Sequence, residues 1–225
     1  MSNHLKAYAA PKSWTLLKKV SKWTLRPLPG SQPLERSLPI GMLMRQLGVA
    51  NTMREIKHVL NSKAVMVNGK VVKDAHFGVG LMDAISVKPG KSVRCTIDTK
   101  GRLVFKDAPE SEMSKKLSQV TGKRTVKGAK IQVNFSDGRS MLMQKDTLNV
   151  GDGVLLELPK QKVLDQFKFE KGTSVLLLGG RHTGLICTIE DVQGKKLVCK
   201  HGAKRIETLT KVAFPVGSDK PVVKL

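Results

Sequence analysis

Three residues near the C-terminus have side chains that could bind a metal ion. Cys199 and His201 are separated by one residue, and Cys187 precedes them in the chain. Structural zinc sites usually combine short Cys-x₂₋₄-Cys or His-x₃₋₅-His pairs, and neither spacing occurs in this chain. We therefore predict no metal site. The odd number of cysteines suits a reducing cytosol better than a disulfide framework.

Phosphate-binding and catalytic motifs are incomplete. The Gly-Lys-Ser run at 90–92 would need a glycine five residues before Gly90, but Ile85 stands there. Gly78-Val-Gly80 is followed by Asp83, where a dinucleotide fingerprint needs a small residue. The chain has no Gly-x-Ser-x-Gly motif, its five histidines are scattered, and its acids are few and dispersed, with no candidate for paired-carboxylate chemistry. These patterns predict neither an enzyme nor a cofactor, and no small-molecule substrate.

The charge is more informative than the motifs. Lys and Arg total 40 against 18 Asp and Glu, which gives a formal net charge of +22. So many cations repel one another unless a polyanion neutralises them, so nucleic acid and an anionic membrane surface are the candidate partners. A membrane-spanning segment is not expected, because apolar runs stay far below the ~20 residues required. The N-terminus also lacks the apolar stretch of a secretory signal.

Residues 1–36 form a basic N-terminal arm, which carries both tryptophans and the only tyrosine. Its prolines exclude one long helix. We expect the arm to be ordered partly by its partner. The rings of Trp14 and Trp23 either stack on bases or anchor the arm on the protein's own surface, and both interpretations stay open. The candidate RNA-binding residues of the arm are Lys6, Lys12, Trp14, Lys18, Lys19, Lys22 and Arg26.

Residues 37–90 predict two short helices followed by a small sheet. Ser37 is the expected cap of the first helix, and Thr52 with Glu55 forms a capping box for the second. Asn68-Gly69 predicts a hairpin turn. One face of the second helix is apolar and the other is basic. The candidate RNA-binding residues are Arg54, Lys57, His58 and Lys63.

Residues 91–170 predict a central β domain, and residues 171–225 a small β barrel with a tail. Between the central strands, the span 113–130 contains no acid and is interpreted as a loop that faces phosphates. A Gly-rich turn follows at 179–184. The candidate RNA-binding residues are Lys115, Lys116, Lys123, Arg124, Lys127 and Lys130 in the span, and Arg181 and His182 in the turn.

The block 37–87 resembles the helix-pair RNA-binding module named after small-subunit ribosomal protein four. The run from Gly179 to Ile186 resembles a KOW motif of small β barrels. With these two motifs in this order after the basic arm, the chain resembles the e-type ribosomal protein four family of archaea and eukaryotes over essentially its full length. Further matching stretches lie at 79–83, 132–139 and 214–217. Ala7 and Asn68 depart from residues that are common in the family. Asn68-Gly69 still forms the hairpin turn, so only the arm contact of a basic residue at position 7 is lost.

This resemblance implies an α+β fold, mostly β, with a basic N-terminal arm, a helix-pair module, a central β domain and a C-terminal SH3-like KOW barrel. It implies a structural constituent of the small ribosomal subunit that binds ribosomal RNA and adjoins neighbouring small-subunit ribosomal proteins. The implied location is the cytoplasmic ribosome, and the compact size indicates an archaeal member. The alternatives are an RNA-modifying or tRNA-charging enzyme that carries the same module, and a KOW-bearing transcription or translation factor.

Overall fold

The structure is a computed structural model that describes residues 4–88, 90–128, 130–202 and 204–223. Over this range the chain is mostly β, with two α-helices. It divides into two compact units. The first contains the described residues up to Thr96 together with 102–114, and the second contains 97–101 together with the described residues from Lys115 onward.

The first unit contains both helices and three antiparallel sheets. Strands β1 and β2 form a two-stranded ribbon, β3 pairs with β6, and a five-stranded sheet has the order β5-β4-β7-β8-β9. Its elements are β1 His4–Lys6, β2 Trp23–Leu25, β3 Ser37–Pro39, α1 Ile40–Gln46, α2 Met53–Asn61, β4 Val65–Val67, β5 Lys70–Val71, β6 Gly78–Gly80, β7 Ala84–Val87, β8 Lys91–Ile97 and β9 Leu103–Asp107.

Helix α1 begins later than its sequence predicts. Ser37 does not cap the helix, because it lies in β3 and pairs with Gly80. Pro39 takes the cap position and has extended backbone angles, and Ile40 is the first helical residue. Proline fixes φ near the helical value and has no N–H to satisfy, so it tolerates a helix start where a serine cap was expected.

Helix α2 and the hairpin after it are as the sequence predicts. Thr52 accepts a hydrogen bond from the Glu55 backbone N–H, and the Glu55 carboxylate accepts one from the Thr52 N–H, which completes the capping box. Asn68 and Gly69 both have positive φ, as a two-residue hairpin turn requires. The Asn68 side chain is buried and donates to Asp83, so it also ties this turn to the strand that follows.

The predicted boundary at residue 90 does not coincide with a break in the sheet. β8 pairs with β7 in antiparallel register, from Ala84 opposite Arg94 to Val87 opposite Lys91. Strands β8 and β9 therefore extend the sheet of the helix-pair module. The four-part division of the chain stays a prediction.

The second unit contains two five-stranded antiparallel sheets, of order β12-β11-β10-β13-β14 and β18-β17-β16-β15-β19. Its elements are β10 Lys115–Val126, β11 Lys130–Phe135, β12 Ser140–Met143, β13 Gly153–Glu157, β14 Lys162–Phe167, β15 Ser174–Leu177, β16 Ile186–Gln193, β17 Lys196–His201, β18 Lys204–Leu209 and β19 Ala213–Gly217.

The span 113–130 is a strand for most of its length, and its interpretation as a loop is wrong. The first half of β10 pairs with β13 and the second half pairs with β11, with a register shift between Val120 and Gly122. A register shift of this kind bends a strand and lets it serve two partners. The polar composition misled the prediction because the second half of β10 has mostly exposed side chains.

Each sheet of the second unit has its own apolar core. Val120, Val133, Phe135 and Leu156 belong to the core of the β10 sheet. The core of the β15 sheet is built from small aliphatic residues and includes Cys187 and Cys199. The predicted fold class, α+β and mostly β, is confirmed.

Candidate nucleic-acid interface

Helix α2 presents a basic face to solvent. Ile56 and Leu60 are fully buried, whereas Arg54, Lys57 and His58 are exposed on the opposite side. Residues three and four positions apart lie on the same helix face, so these three side chains form one continuous surface. The buried stripe and the capping box fix the orientation of that surface. The predicted basic face therefore exists as a geometric feature of the fold.

Lys63 lies just beyond the C-terminal end of α2. Its φ is 59°, in the left-handed region, and its backbone N–H donates to the Leu60 carbonyl at 3.0 Å. Its side chain is exposed. The helix end therefore holds Lys63 next to the basic face of α2.

The N-terminal arm is part of the first unit, where the backbone N–H of Leu28 donates to the His76 carbonyl at 2.8 Å. β1 and β2 pair with His4 opposite Leu25 and Lys6 opposite Trp23. The Lys18 ammonium donates to the Ala10 carbonyl at 2.7 Å. Among the candidate RNA-binding residues of the arm, Lys18 and Arg26 are half-buried, whereas Lys6, Lys12, Lys19 and Lys22 are exposed.

Trp14 is not available to RNA bases, so its assignment as an RNA-binding residue is wrong. Its side chain is only 3% exposed, and its indole Nε1 donates to the Ser37 carbonyl at 2.7 Å. The backbone N–H of Leu103 also donates to the Ser13 carbonyl beside it. Of the two interpretations offered for the tryptophans, anchoring on the protein's own surface is the one that the structure supports for Trp14.

Lys116 is likewise withdrawn from solvent. Its side chain is 2% exposed and its ammonium lies 3.0 Å from the Asp137 carboxylate, which also pairs with the Arg139 guanidinium at 3.1 Å. The assignment of Lys116 as a phosphate-binding residue is therefore corrected, because its charge is already neutralised inside the second unit.

The other cations of the span 113–130 lie at the surface or close to it. Lys123 pairs with Asp146. Arg124 is opposite Gln132 and Val126 is opposite Lys130, so Arg124 and Lys130 are diagonal neighbours on one face of the β10–β11 hairpin. Lys115 and Lys127 are exposed as well.

The Gly-rich turn holds Arg181 and His182 at its tip. Both side chains are exposed, and the Thr183 hydroxyl donates across the turn to the Gly180 carbonyl at 2.7 Å. Gly184 has a φ of 79°, and a Cβ atom there would lie 2.6 Å from the carbonyl carbon of Asp98. A side chain at position 184 would collide with the Asp98 backbone, so this position of the turn requires glycine.

Several acids are buried and hold loops. The Asp152 carboxylate accepts from the backbone N–H of Asn149 at 2.8 Å and from that of Phe169 at 3.0 Å. Asp83 accepts from the Gly80 N–H at 2.7 Å. The chain stays strongly positive in spite of these acids, because 40 Lys and Arg residues outnumber 18 Asp and Glu residues.

Thiol and metal chemistry finds little support in this geometry. Burial, followed by the neighbouring Cys199, raises the pKa of Cys187 to about 12, so this thiol is not a nucleophile at neutral pH. Among the described residues, no three His, Cys, Asp or Glu side chains are grouped so that they could hold a metal ion. Neither helix in the described part of the chain is long and apolar enough to cross a membrane.

Sequence reasoning considered the ring of Trp23 but did not identify the cavity that this ring lines. Trp23 is 49% exposed and lines a cavity with Arg45, the last basic residue of α1. Neither was among the candidate residues. The signal that could have found Trp23 is the alternation along β1 and β2, which places Trp23 and Lys6 on the same face of the ribbon.

Comparisons with known proteins assign the class. The RS4NT (NUC023) domain model matches residues 1–34, the S4 domain model matches residues 40–85, and the model described as Ribosomal family S4e matches residues 89–163. The class that the fold and these matches define is that of small-subunit ribosomal proteins.

Individual relatives extend over nearly the full length. Small ribosomal subunit protein eS4 of Methanosphaera stadtmanae is 38% identical over 99% of this chain and 95% of its own. The protein of the same name from Korarchaeum cryptofilum is 36% identical over 100% and 97%. The crystal structure of the 30S ribosomal protein S4e from Thermoplasma acidophilum matches 81% of this chain and 96% of its own, with a TM-score of 0.71 and 27% identity. The chain belongs to the eS4 family of small ribosomal subunit proteins, whose members are ribosomal structural proteins and not enzymes.

Proposed function

We propose that this chain is a structural constituent of the small subunit of the cytoplasmic ribosome, where it binds ribosomal RNA and adjoins other small-subunit proteins. The observation that carries the proposal is the basic face of α2. Arg54, Lys57 and His58 project from a helix whose opposite side is buried and whose start is capped. A rigid scaffold of this kind holds cations in a fixed pattern that a folded RNA can match.

Phosphates are the expected targets of these side chains. The base edges of a double-stranded RNA lie deep in a narrow groove, so recognition uses shape and backbone contacts. Each cation that neutralises a phosphate releases a condensed counterion, which favours binding at low salt. Cations held by strands and turns also lose less conformational freedom on binding than cations on a disordered tail.

The proposed RNA-binding residues are the sequence candidates without Trp14 and Lys116. They come from the arm, from α2 and its C-terminal end, from β10 and the start of β11, and from the Gly-rich turn. They are Lys6, Lys12, Lys18, Lys19, Lys22, Arg26, Arg54, Lys57, His58, Lys63, Lys115, Lys123, Arg124, Lys127, Lys130, Arg181 and His182.

A charge-matched pair of variants tests the proposal. The first variant replaces Arg54, Lys57, Arg124 and Lys127 by glutamine. The control replaces four exposed lysines outside the proposed set, Lys160, Lys162, Lys168 and Lys220, by glutamine. Both lose four charges, so they differ only in where the charge is lost.

The measurement is co-sedimentation with small ribosomal subunits that have been depleted of this protein. The first variant should bind about tenfold or more weakly than the wild-type chain, and the control should bind nearly as well as the wild-type chain. Equal loss in both variants would show that only net charge matters. No loss in either would contradict the proposed RNA-binding surface.

A further inference from the structure

The ribbon of the arm has one face that lies between two cavities. In an antiparallel pair, residues opposite each other share a face, and alternate residues along a strand do so as well. The register of β1 and β2 therefore places His4, Lys6 and Trp23 on the same face. The first cavity is lined by His4 and Trp23, and the second is lined by Lys6.

The first cavity has about 500 Å³ and combines a half-exposed aromatic ring with apolar walls. Its volume lies within the ~300–1,000 Å³ that is typical of ligand pockets. None of the described residues that line it is acidic. Trp23, His4, Leu25 and Met42 supply its apolar and aromatic surface, and Arg45 and Gln46 supply polar groups.

The exposed ring of Trp23 is held in place by its neighbours. The His4 ring lies edge-on to it, with the ring centroids 5.6 Å apart and an interplanar angle of 64°. The Lys22 ammonium lies 5.6 Å from the Trp23 centroid. The side chain is still 49% exposed, so a substantial part of the indole is open to a planar group.

The second cavity, of about 390 Å³, is strongly basic. Lys6, Lys18, Lys19 and Lys22 line it together with Tyr8 and Ser21, and no acid is among its described lining residues. Ser21 lines both cavities, which are therefore adjacent. Four cations around one depression attract an anion such as a phosphate.

An aromatic pocket next to a lysine cluster matches the two halves of a nucleotide. We propose that this face of the arm binds an unpaired nucleotide of RNA, with its base against Trp23 in the first cavity and its phosphates at the lysines of the second. A paired base could not reach Trp23, because its faces are stacked within the duplex. This inference rests on the proposed function and deepens it, since it specifies a single-stranded element of the RNA.

The charge argues against a protein side chain as the occupant. An apolar side chain of a neighbouring protein would fill the first cavity but would leave the four lysines next to it without a counter-charge. A nucleotide would place its base in the first cavity and would neutralise the lysines of the second cavity with its phosphates. Aromatic stacking and phosphate neutralisation are also the two interactions that single-stranded nucleic acids generally offer to proteins.

The test uses the full-length protein and three RNA probes of about eight nucleotides, within the usual size of single-strand sites. The probes are an unstructured single strand, the same length of abasic strand, and a blunt duplex. Binding is measured for the wild-type chain and for Trp23→Ala, Trp23→Phe and Phe77→Ala. Phe77 is an exposed aromatic residue of the first unit that lines neither cavity, so it provides the matched control.

Trp23→Ala should weaken binding of the unstructured strand about tenfold and leave abasic and duplex binding within about twofold. Trp23→Phe should restore most of the loss, because phenylalanine keeps a stacking face. Phe77→Ala should behave like the wild-type chain. The unstructured strand should also quench the fluorescence of the wild-type chain more than that of Trp23→Phe, since Trp14 is buried.

Equal affinity of the wild-type chain and Trp23→Ala for the unstructured strand would overturn the inference. Protection of Trp23 in intact subunits without any quenching by the RNA strand would also overturn it, in favour of a protein neighbour. Neither result bears on RNA binding by the basic face of α2, which is tested separately with the charge-matched variants. A failure of this inference is therefore distinguishable from a failure of the proposed function.

Discussion

At the scale of single residues, the second unit contains a buried ion pair that should be costly to disrupt. Lys116 and Asp137 are both almost fully buried, with 3.0 Å between the ammonium and the carboxylate. The Arg139 backbone N–H also donates to Asp137, at 3.2 Å. A buried pair of this kind costs desolvation to form, but removal of one partner leaves the other charge uncompensated.

We expect Lys116→Met to lower the free energy of unfolding by about 3 kcal/mol, because Asp137 would stay buried with only Arg139 as a cationic partner among the described residues. Urea denaturation of the full-length chain provides the measurement. Lys127→Met, which removes an exposed cation, serves as the control and should change stability by less than about 0.5 kcal/mol. A Lys116→Met protein as stable as the wild-type chain would show that the pair contributes nothing net.

Residue type alone could not separate the buried cations and rings from the exposed ones. Lys115 and Lys116 are neighbours in the sequence, yet only Lys116 points into the core, because successive strand residues face opposite sides. Trp14 and Trp23 also differ in burial, with exposed fractions of 3% and 49%. Trp14 finds the Ser37 carbonyl 23 positions away in the chain, a long-range partner that local patterns do not reveal.

At the scale of elements, the start of α2 depends on one carboxylate. The Glu55 side chain accepts hydrogen bonds from the backbone N–H groups of Asn51 at 2.9 Å and Thr52 at 3.3 Å. The bond from Asn51, followed by those from Thr52, lowers the pKa of Glu55 below its usual value of 4.5. The folded state therefore favours the ionised form.

This pKa shift predicts a pH-dependent difference between the wild-type chain and Glu55→Gln. A carboxylate whose pKa is lowered on folding stabilises the protein above its usual pKa, and the contribution disappears as the pH falls through the folded value. The urea midpoints of the two proteins should therefore differ at neutral pH and converge in acid. Glu207→Gln removes an exposed acid outside any helix cap and should show no such convergence. A constant offset for Glu55→Gln would contradict the argument.

The Gly-rich turn allows a second test at this scale. Gly184 combines positive φ with close approach of the Asp98 backbone, whereas Gly180 has a φ of 86° and no neighbouring atom within 4 Å of an added Cβ. Gly184→Ala should therefore destabilise the protein by about 3 kcal/mol, and Gly180→Ala by only about 1 kcal/mol. Thermal or urea unfolding measures both. Equal effects would mean that backbone strain, and not the approach of Asp98, decides this position.

Elements with local signals were predictable, and those defined by distant pairing were not. The capping box of α2 and the Asn68-Gly69 turn each lie within four residues, so the local sequence is sufficient to predict them. Strand β10 depends on β11 and β13, which come later in the chain, and its polar second half carries no apolar alternation. Its cationic composition was correctly noticed, but its conformation needed the pairing partners.

At the scale of the whole molecule, the central feature is the placement of a net charge of +22. Exposed cations occur in both compact units, on a helix, a ribbon, a hairpin and a turn. The buried carboxylates of Asp83 and Asp152 accept hydrogen bonds from backbone N–H groups of nearby loop residues. The family assignment places the chain among small-subunit ribosomal proteins. Its exposed cations are the physical reason why ribosomal RNA is the proposed partner.

The most direct test of RNA binding by the surface cations is the salt dependence of binding between the full-length protein and the RNA of its own small subunit. With roughly six phosphate contacts, the affinity should fall about a thousandfold between 50 and 200 mM monovalent salt. A plot of log affinity against log salt should be linear with a steep negative slope. An affinity that hardly changes over this range would contradict the claim that surface cations neutralise RNA phosphates.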